Sequence, residues 1–217
     1  MSSSDNILEH LLSTIHKRLV SIPVEQRLRG DLIPIVNSWL SLPVKNTRPN
    51  TAARLPAVDY LEQALNIGET SGDRELCSMI RLLAPALSWN FDYSPHPDSP
   101  YLDEKIAFTQ FVGPEDFWIS SHFAIGLTLI APKIHYPAHC HPATEIYLPL
   151  AGTGLWSMGN GGYFPRQPGE LIFHPSEVIH ATRAQEEPVL ALYIWHGNIR
   201  SPSEWVTYSI CRSGHCR

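Results

Sequence analysis

Four cysteines in 217 residues (Cys77, Cys140, Cys211 and Cys216) are too few and too scattered for a disulfide-stapled secreted scaffold. They read as thiols of a reducing compartment, with Cys211 and Cys216 near enough to pair at the tail. No apolar run approaches the roughly 18 residues that a transmembrane helix needs. Positive charge is scarce as well. Sixteen Lys and Arg stand against 21 Asp and Glu, giving a net charge of -5. With no basic cluster, nucleic acid and anionic membrane are both disfavoured as partners. The N-terminus interleaves acids and histidine with its apolar positions and has no small-residue cleavage site, so it does not read as a secretory signal. Internal repeats and low-complexity segments are absent. The expectation is a soluble cytoplasmic protein whose 43% hydrophobic and 17% charged residues suffice for a sizeable core.

What is present divides into two textures. Residues 1–100 read as a helical N-terminal region. Leu8, Leu11, Leu12, Ile15 and Leu19 follow the spacing of an amphipathic helix, with Ser4 or Asp5 as its N-cap. Further helical segments are "LIPIVNSWL", "PAVDYLEQAL", which should break at Gly68, and "RELCSMIRLLAPAL". None carries the clustered basic face of a DNA-binding helix, so packing against the second half or a partner subunit is expected, and a homodimer fits. "YSPHPDSP", with three prolines, marks the junction. Residues 101–217 then alternate short strands rich in β-branched and aromatic residues with Gly, Pro and Asn turns. That pattern predicts a mainly β architecture, an antiparallel sandwich or barrel.

One stretch in the second half carries chemistry. In "HCHPATE", His139 and His141 stand two apart at what reads as the start of a strand, so their imidazoles share a face, and Glu145 follows. The segment "PGELIFHPSEVIH" ends in a further histidine, His180. Three imidazoles and one carboxylate suit a divalent first-row ion such as Zn, Fe(II), Mn or Ni. Cys140 points away from its neighbours by alternation and is expected as a core thiol. The lone histidines His174, His196 and His215 are expected as surface or satisfied core residues. Tyr136 and Tyr147 flank the ligand run, and alternation puts Tyr147 on the face of Glu145. Tyr193 and Trp195 likewise share a face, and Trp156 completes the aromatic set.

The run His139-x-His141-x3-Glu145-x6-Gly152 resembles the first motif of the cupins, with Lys133 where its leading glycine is usual. Gly169-x5-Pro175-x-Glu177-x2-His180 resembles the second, with Glu177 in place of glycine and Ala184 in place of asparagine. The departures fall on turn positions. The resemblance implies a cupin fold, a double-stranded β-helix or jelly-roll barrel, over roughly residues 120–200, and metal binding. Fold alone does not give the reaction.

With Pro142, Ala143 and Tyr147 added, and a helical region in front, the chain resembles the bacterial cupin-type dimethylsulfoniopropionate lyases. Its length and layout suit the DddL and DddQ groups. The resemblance implies cleavage of a zwitterionic carboxylate by β-elimination to dimethyl sulfide and acrylate. It draws metal ligands from His139, His141, Glu145, Tyr147 and His180. A metal on the substrate carboxylate would act as Lewis acid. A phenol near a cation could serve as base, so Tyr136 and Tyr147 are the candidates. Trp195, then Trp156 and Tyr193, are candidate holders of the sulfonium, which cannot donate an ordinary hydrogen bond and favours aromatic faces. Two alternatives remain open at this stage: an Fe(II) dioxygenase, and a non-enzymatic cupin binding a small ligand.

Overall fold

The computed structural model describes residues 3–21, 55–116 and 118–206. The apolar stretch 32–40, His215 and the tail cysteines Cys211 and Cys216 lie outside them. Helix α1 (Ser3–Ser21) buries Leu8, Leu11, Leu12, Ile15 and Leu19, the spacing read from the sequence. It begins ahead of the caps expected at Ser4 or Asp5, a shift of the size at which helix ends fray. A short turn, Pro56–Tyr60, leads into α2 (Leu61–Ser71), and α3 (Arg74–Leu83) follows. The Asp73 carboxylate caps α3 by accepting the Leu76 N–H at 3.2 Å, and it also pairs with Arg18 of α1.

The break expected at Gly68 does not occur, because α2 runs on to Ser71. A Cβ at Gly68 would stand 2.3 Å from Cys77 Sγ and 3.0 Å from the Leu150 carbonyl. The glycine therefore permits close approach of α2 to its neighbours and does not end the helix.

Among the described residues eleven strands follow: β1 (Ile106–Gly113), β2 (Trp118–Ile119), β3 (Phe123–Ile130), β4 (His135–Cys140), β5 (Ala143–Ala151), β6 (Gly154–Met158), β7 (Phe164–Arg166), β8 (Ile172–His174), β9 (His180–Ala184), β10 (Val189–Gly197) and β11 (Glu204–Trp205). They form a six-stranded sheet, β2-β1-β3-β10-β5-β8, and a five-stranded sheet, β11-β4-β9-β6-β7. Alternation sorts their side chains. Ile125, Leu127 and Leu129 of β3, Leu190, Leu192 and Ile194 of β10, and Ile146, Leu148 and Leu150 of β5 join the apolar faces of the helices in one cluster. The opposite faces of the same strands close on the second sheet around Tyr136, Tyr147, Trp156 and Tyr193. The helices thus cover the outside of the larger sheet, and the barrel interior is left to aromatic and polar groups. Among the described residues no helix is long and apolar enough to cross a membrane.

Cys140 is buried but disulfide-bonded, which corrects the expectation of a free core thiol; Cys77 is buried and free. The substituted motif glycines have a clear counterpart. Lys133 (φ 63°) and Glu177 (φ 64°) are the two non-glycine residues with positive φ among those described, and Gly152 and Gly169 at the other motif turns share that conformation. The backbone has kept the turn although the residue changed, at a cost of about 1–2 kcal/mol for each non-glycine residue in the left-handed region.

Glu177→Gly should therefore leave the fold intact and raise stability by about 0.5–1 kcal/mol, the strain relief less the entropy glycine gains on unfolding. Glu177→Val should lower it, since a β-branched residue fits this conformation worst. Urea denaturation of the three proteins checks the order, and valine matching glycine would show that Glu177 carries no strain.

Candidate metal centre

β5 projects Glu145 and Tyr147 into the barrel, β10 projects Tyr193 and Trp195, and β9 opens with His180. His139 and His180 are register partners of β4 and β9. His139 comes near the end of β4, and His141 lies in the corner that carries the chain to β5, so the pair closes a strand where the sequence suggested it would open one. All four expected ligands are buried, none more than 3% exposed.

Their hydrogen bonds define their tautomers. His139 Nδ1 faces the Pro137 carbonyl at 2.8 Å, His141 Nδ1 the Ala143 carbonyl at 3.0 Å, and His180 Nδ1 the Val178 carbonyl at 2.9 Å. A carbonyl only accepts, so each Nδ1 must carry the hydrogen, and in the neutral ring each Nε2 is left with a lone pair. His141 Nε2 and His180 Nε2 then point those lone pairs at Glu145 Oε2, 3.3 and 3.2 Å away. Among the described residues His180 Nε2 is also buried without a hydrogen-bond partner. Acceptors facing an acceptor repel unless a cation lies between them. The donor atoms of His141, Glu145 and His180 lie within 4.8 Å of one another, which fits a single divalent ion. Backbone carbonyls fixing the distal nitrogens are the usual outer support of imidazole ligands.

Glu145 is the hub. Its Oε2 accepts from His174 Nδ1 at 3.1 Å and its Oε1 from the Trp195 indole at 2.7 Å. Burial opposes its charge, but the His141 imidazole beside it first, and the His174 hydrogen bond with it, hold the carboxyl well below its ordinary range. His139 stands outside the three-residue group. Its ring stacks on Tyr136 with centroids 4.1 Å apart and meets His180 edge-on.

A cavity of about 480 Å³ opens beside this cluster, and Glu145, His139, Tyr136, Tyr147, Tyr193 and Trp195 all line it. Tyr147 shares a hydrogen bond with Thr128 (3.4 Å), and the Tyr136 hydroxyl lies 2.6 Å from that of Tyr93. Burial raises the pKa of both phenols well above 10, with Tyr93 adding to the effect at Tyr136 and the Glu145 charge at Tyr147. Trp195 is bound to Glu145 and lies 4.2 Å from the His141 ring. Trp156 packs on Tyr147 at 4.8 Å but faces a second cavity, of about 460 Å³, with His174.

Sequence reasoning passed over three contributors. His174 is a buried histidine, as expected, yet it sits opposite Glu145 in the β5–β8 pairing and holds it. Tyr93 belongs to the proline-rich junction, and Trp205 of β11 stacks on it at 4.2 Å while its indole donates to the Ser94 carbonyl. Each depends on pairing between distant segments, which no local spacing reveals.

A family model described as dimethylsulfoniopropionate lyase matches residues 35–191. A curated relative, dimethylsulfoniopropionate lyase DddQ of Ruegeria pomeroyi, is 29% identical over 171 residues, 77% of this chain and 84% of its own length. The crystal structure of DMSP lyase DddQ from Ruegeria pomeroyi DSS-3 superposes with a TM-score of 0.76 at 23% identity, covering 93% of this chain and 97% of its own. A chain from the crystal structures of the DMSP lyases RdDddP and RnDddQII gives 0.72 at 20% identity, covering 94% and 100%. At those identities the structural likeness bears on the fold alone: a cupin barrel with a helical N-terminal region.

The buried histidines give the metal-free protein a definite pH response. Burial lowers His174 to about 4 and His139 well below 6.5. Between about pH 6.5 and 4 the unfolded chain takes protons that these rings refuse, so stability is full above that window and falls as pH drops through it. Glu145 stays ionised for most of that range and does not offset the loss. Urea midpoints of chelated protein should fall from about pH 7 to about pH 5, and equal midpoints would contradict the burial of neutral imidazoles.

Proposed function

The chain belongs to the dimethylsulfoniopropionate lyase family, and we propose that the cavity beside Glu145 is where it cleaves that zwitterion by metal-dependent β-elimination. As a member it is an enzyme of the carbon–sulfur lyase class. The observation that carries the proposal is the meeting in one cavity of Glu145 with two buried phenols. At about 480 Å³ the space is of small-molecule size.

The reaction removes the proton from the carbon next to the carboxylate. Its electron pair forms the double bond of acrylate as the carbon–sulfur bond breaks, and the sulfur leaves with its bonding pair as dimethyl sulfide. His141, Glu145 and His180 would hold the ion, with Zn, Fe(II), Mn and Ni all suited to nitrogen and oxygen donors. A bound divalent ion supplies a Lewis acid for the substrate carboxylate and favours the ionised form of a nearby phenol.

Tyr147 takes the proton. It lies two residues beyond Glu145 on the same face, where an ion held by Glu145 would offset the burial and the carboxylate charge that keep the phenol protonated. Tyr136, backed by Tyr93, orients the substrate carboxylate. Trp195 holds Glu145 in place through its indole. Elimination consumes no oxidant, which separates this reading from a dioxygenase.

Metal-loaded protein mixed with dimethylsulfoniopropionate without oxygen should release dimethyl sulfide, read by headspace gas chromatography, and chelation should abolish it. Tyr147→Phe should lower kcat by about 10²–10⁴-fold, the usual contribution of a positioned base. Tyr136→Phe should act more on KM. No product with any of the four metals would end the lyase reading, and an undiminished Tyr147→Phe would remove Tyr147 from the role of base.

A further inference from the structure

A row of residues at one level of the larger sheet leads away from the metal centre. Tyr147 of β5 pairs with Tyr193 of β10, Tyr193 with Gly126 of β3, and Gly126 with Gln110 of β1. The Tyr193 phenol lies across Gly126, where a Cβ would stand 2.6 Å from its hydroxyl and 2.7 Å from Cζ. Space left by that glycine lets Tyr193 donate to Gln110 Oε1 at 3.1 Å. Gln110 then turns its amide NH2 onto Asp116 Oδ2, just beyond β1. Both ends of the Gln110 amide are used, so its orientation and that of the carboxylate are fixed. Tyr193, Gln110 and Asp116 all line the cavity that Glu145 and Tyr147 line.

The charge at the end of this row lacks a counterpart among the described residues. Asp116 is half-buried, and what acts on its ionisation is burial, the Gln110 hydrogen bond and the like charge of Glu115. No basic side chain among the described residues pairs with it. Asp92, another lining carboxylate, is affected by burial alone. Arg200 is the sole basic residue lining the cavity among those described, and it is exposed. Taking a carboxylate out of water costs free energy unless a cation offsets it. Here the Tyr193 ring, tied to the carboxylate through Gln110, borders the same space.

We infer that Tyr193, Gln110 and Asp116 form the subsite for the cationic end of the ligand, and that Asp116 sets the preference for a charged over a neutral group there. The inference rests on the proposed reading of the substrate as a zwitterion whose carboxylate lies at the metal centre. The sulfonium methyls sit against the Tyr193 ring, which attracts a cation through its π face. Asp116 supplies the countercharge and need not touch the ligand. In a cavity of low effective dielectric, charges some 7 Å apart still attract strongly enough for about a tenfold or larger difference in affinity.

The test uses metal-loaded protein and calorimetric titration, a readout independent of turnover. Two probes are compared: the trimethylammonium analogue of the substrate and its tert-butyl isostere, neutral at that end, which differ only in nitrogen against carbon. Wild type should prefer the cation by about tenfold or more. Asp116→Asn should erase most of that preference while leaving affinity for the neutral probe unchanged, and Asp116→Glu should restore it. If wild type shows no preference, or Asp116→Asn keeps it in full, the inference is overturned even where dimethyl sulfide is released. If the preference depends on Asp116 and no dimethyl sulfide forms, the subsite stands and the lyase reading falls.

Discussion

Three backbone carbonyls hold the distal nitrogens of three histidines, and the chemistry of the barrel depends on that constraint. With Nδ1–H committed to Pro137, Ala143 and Val178, the neutral rings of His139, His141 and His180 present Nε2 lone pairs. Two of those lone pairs converge on an ionised Glu145 among buried side chains. Such a cluster is poised to hold a cation. Glu145 cannot turn away, because His174 and Trp195 grip its two oxygens from other strands.

The remainder of the fold keeps that geometry rigid. The helices bury the outer face of the larger sheet, so β5 and β10 cannot slip by one residue without placing Leu148 and Leu192 in the barrel and Tyr147 and Tyr193 outside it. β11 pairs with β4 at Cys140 and His139, and brings Trp205 onto Tyr93, whose hydroxyl reaches Tyr136. Strand pairing, aromatic stacking and the Glu145 hub therefore act on the same few side chains.

Much of this was legible in the sequence, for physical reasons. His139, His141, Glu145, Tyr147 and His180 belong to short runs in which spacing already decides the face, and the helical period of α1 was plain from its leucines. The substitutions at Lys133 and Glu177 obscured the motif but not the turn, since the backbone tolerates some strain at both. Gly68 misled, because a glycine that permits close packing reads locally like one that ends a helix. His174, Tyr93, Gln110 and Asp116 were out of reach: each meets its partner across strands or junctions remote in sequence. The state of Cys140 was equally invisible to alternation, which gives direction but not partner.

The measurement that bears most directly on the central claim is X-ray absorption at the metal edge of the loaded protein. Nitrogen and oxygen scatterers at about 2.0–2.2 Å, with the outer-shell signature of two imidazoles lost in a His141→Ala, His180→Ala double variant, are the expected result. Sulfur in the inner shell, or a spectrum unchanged by removing both histidines, would contradict it.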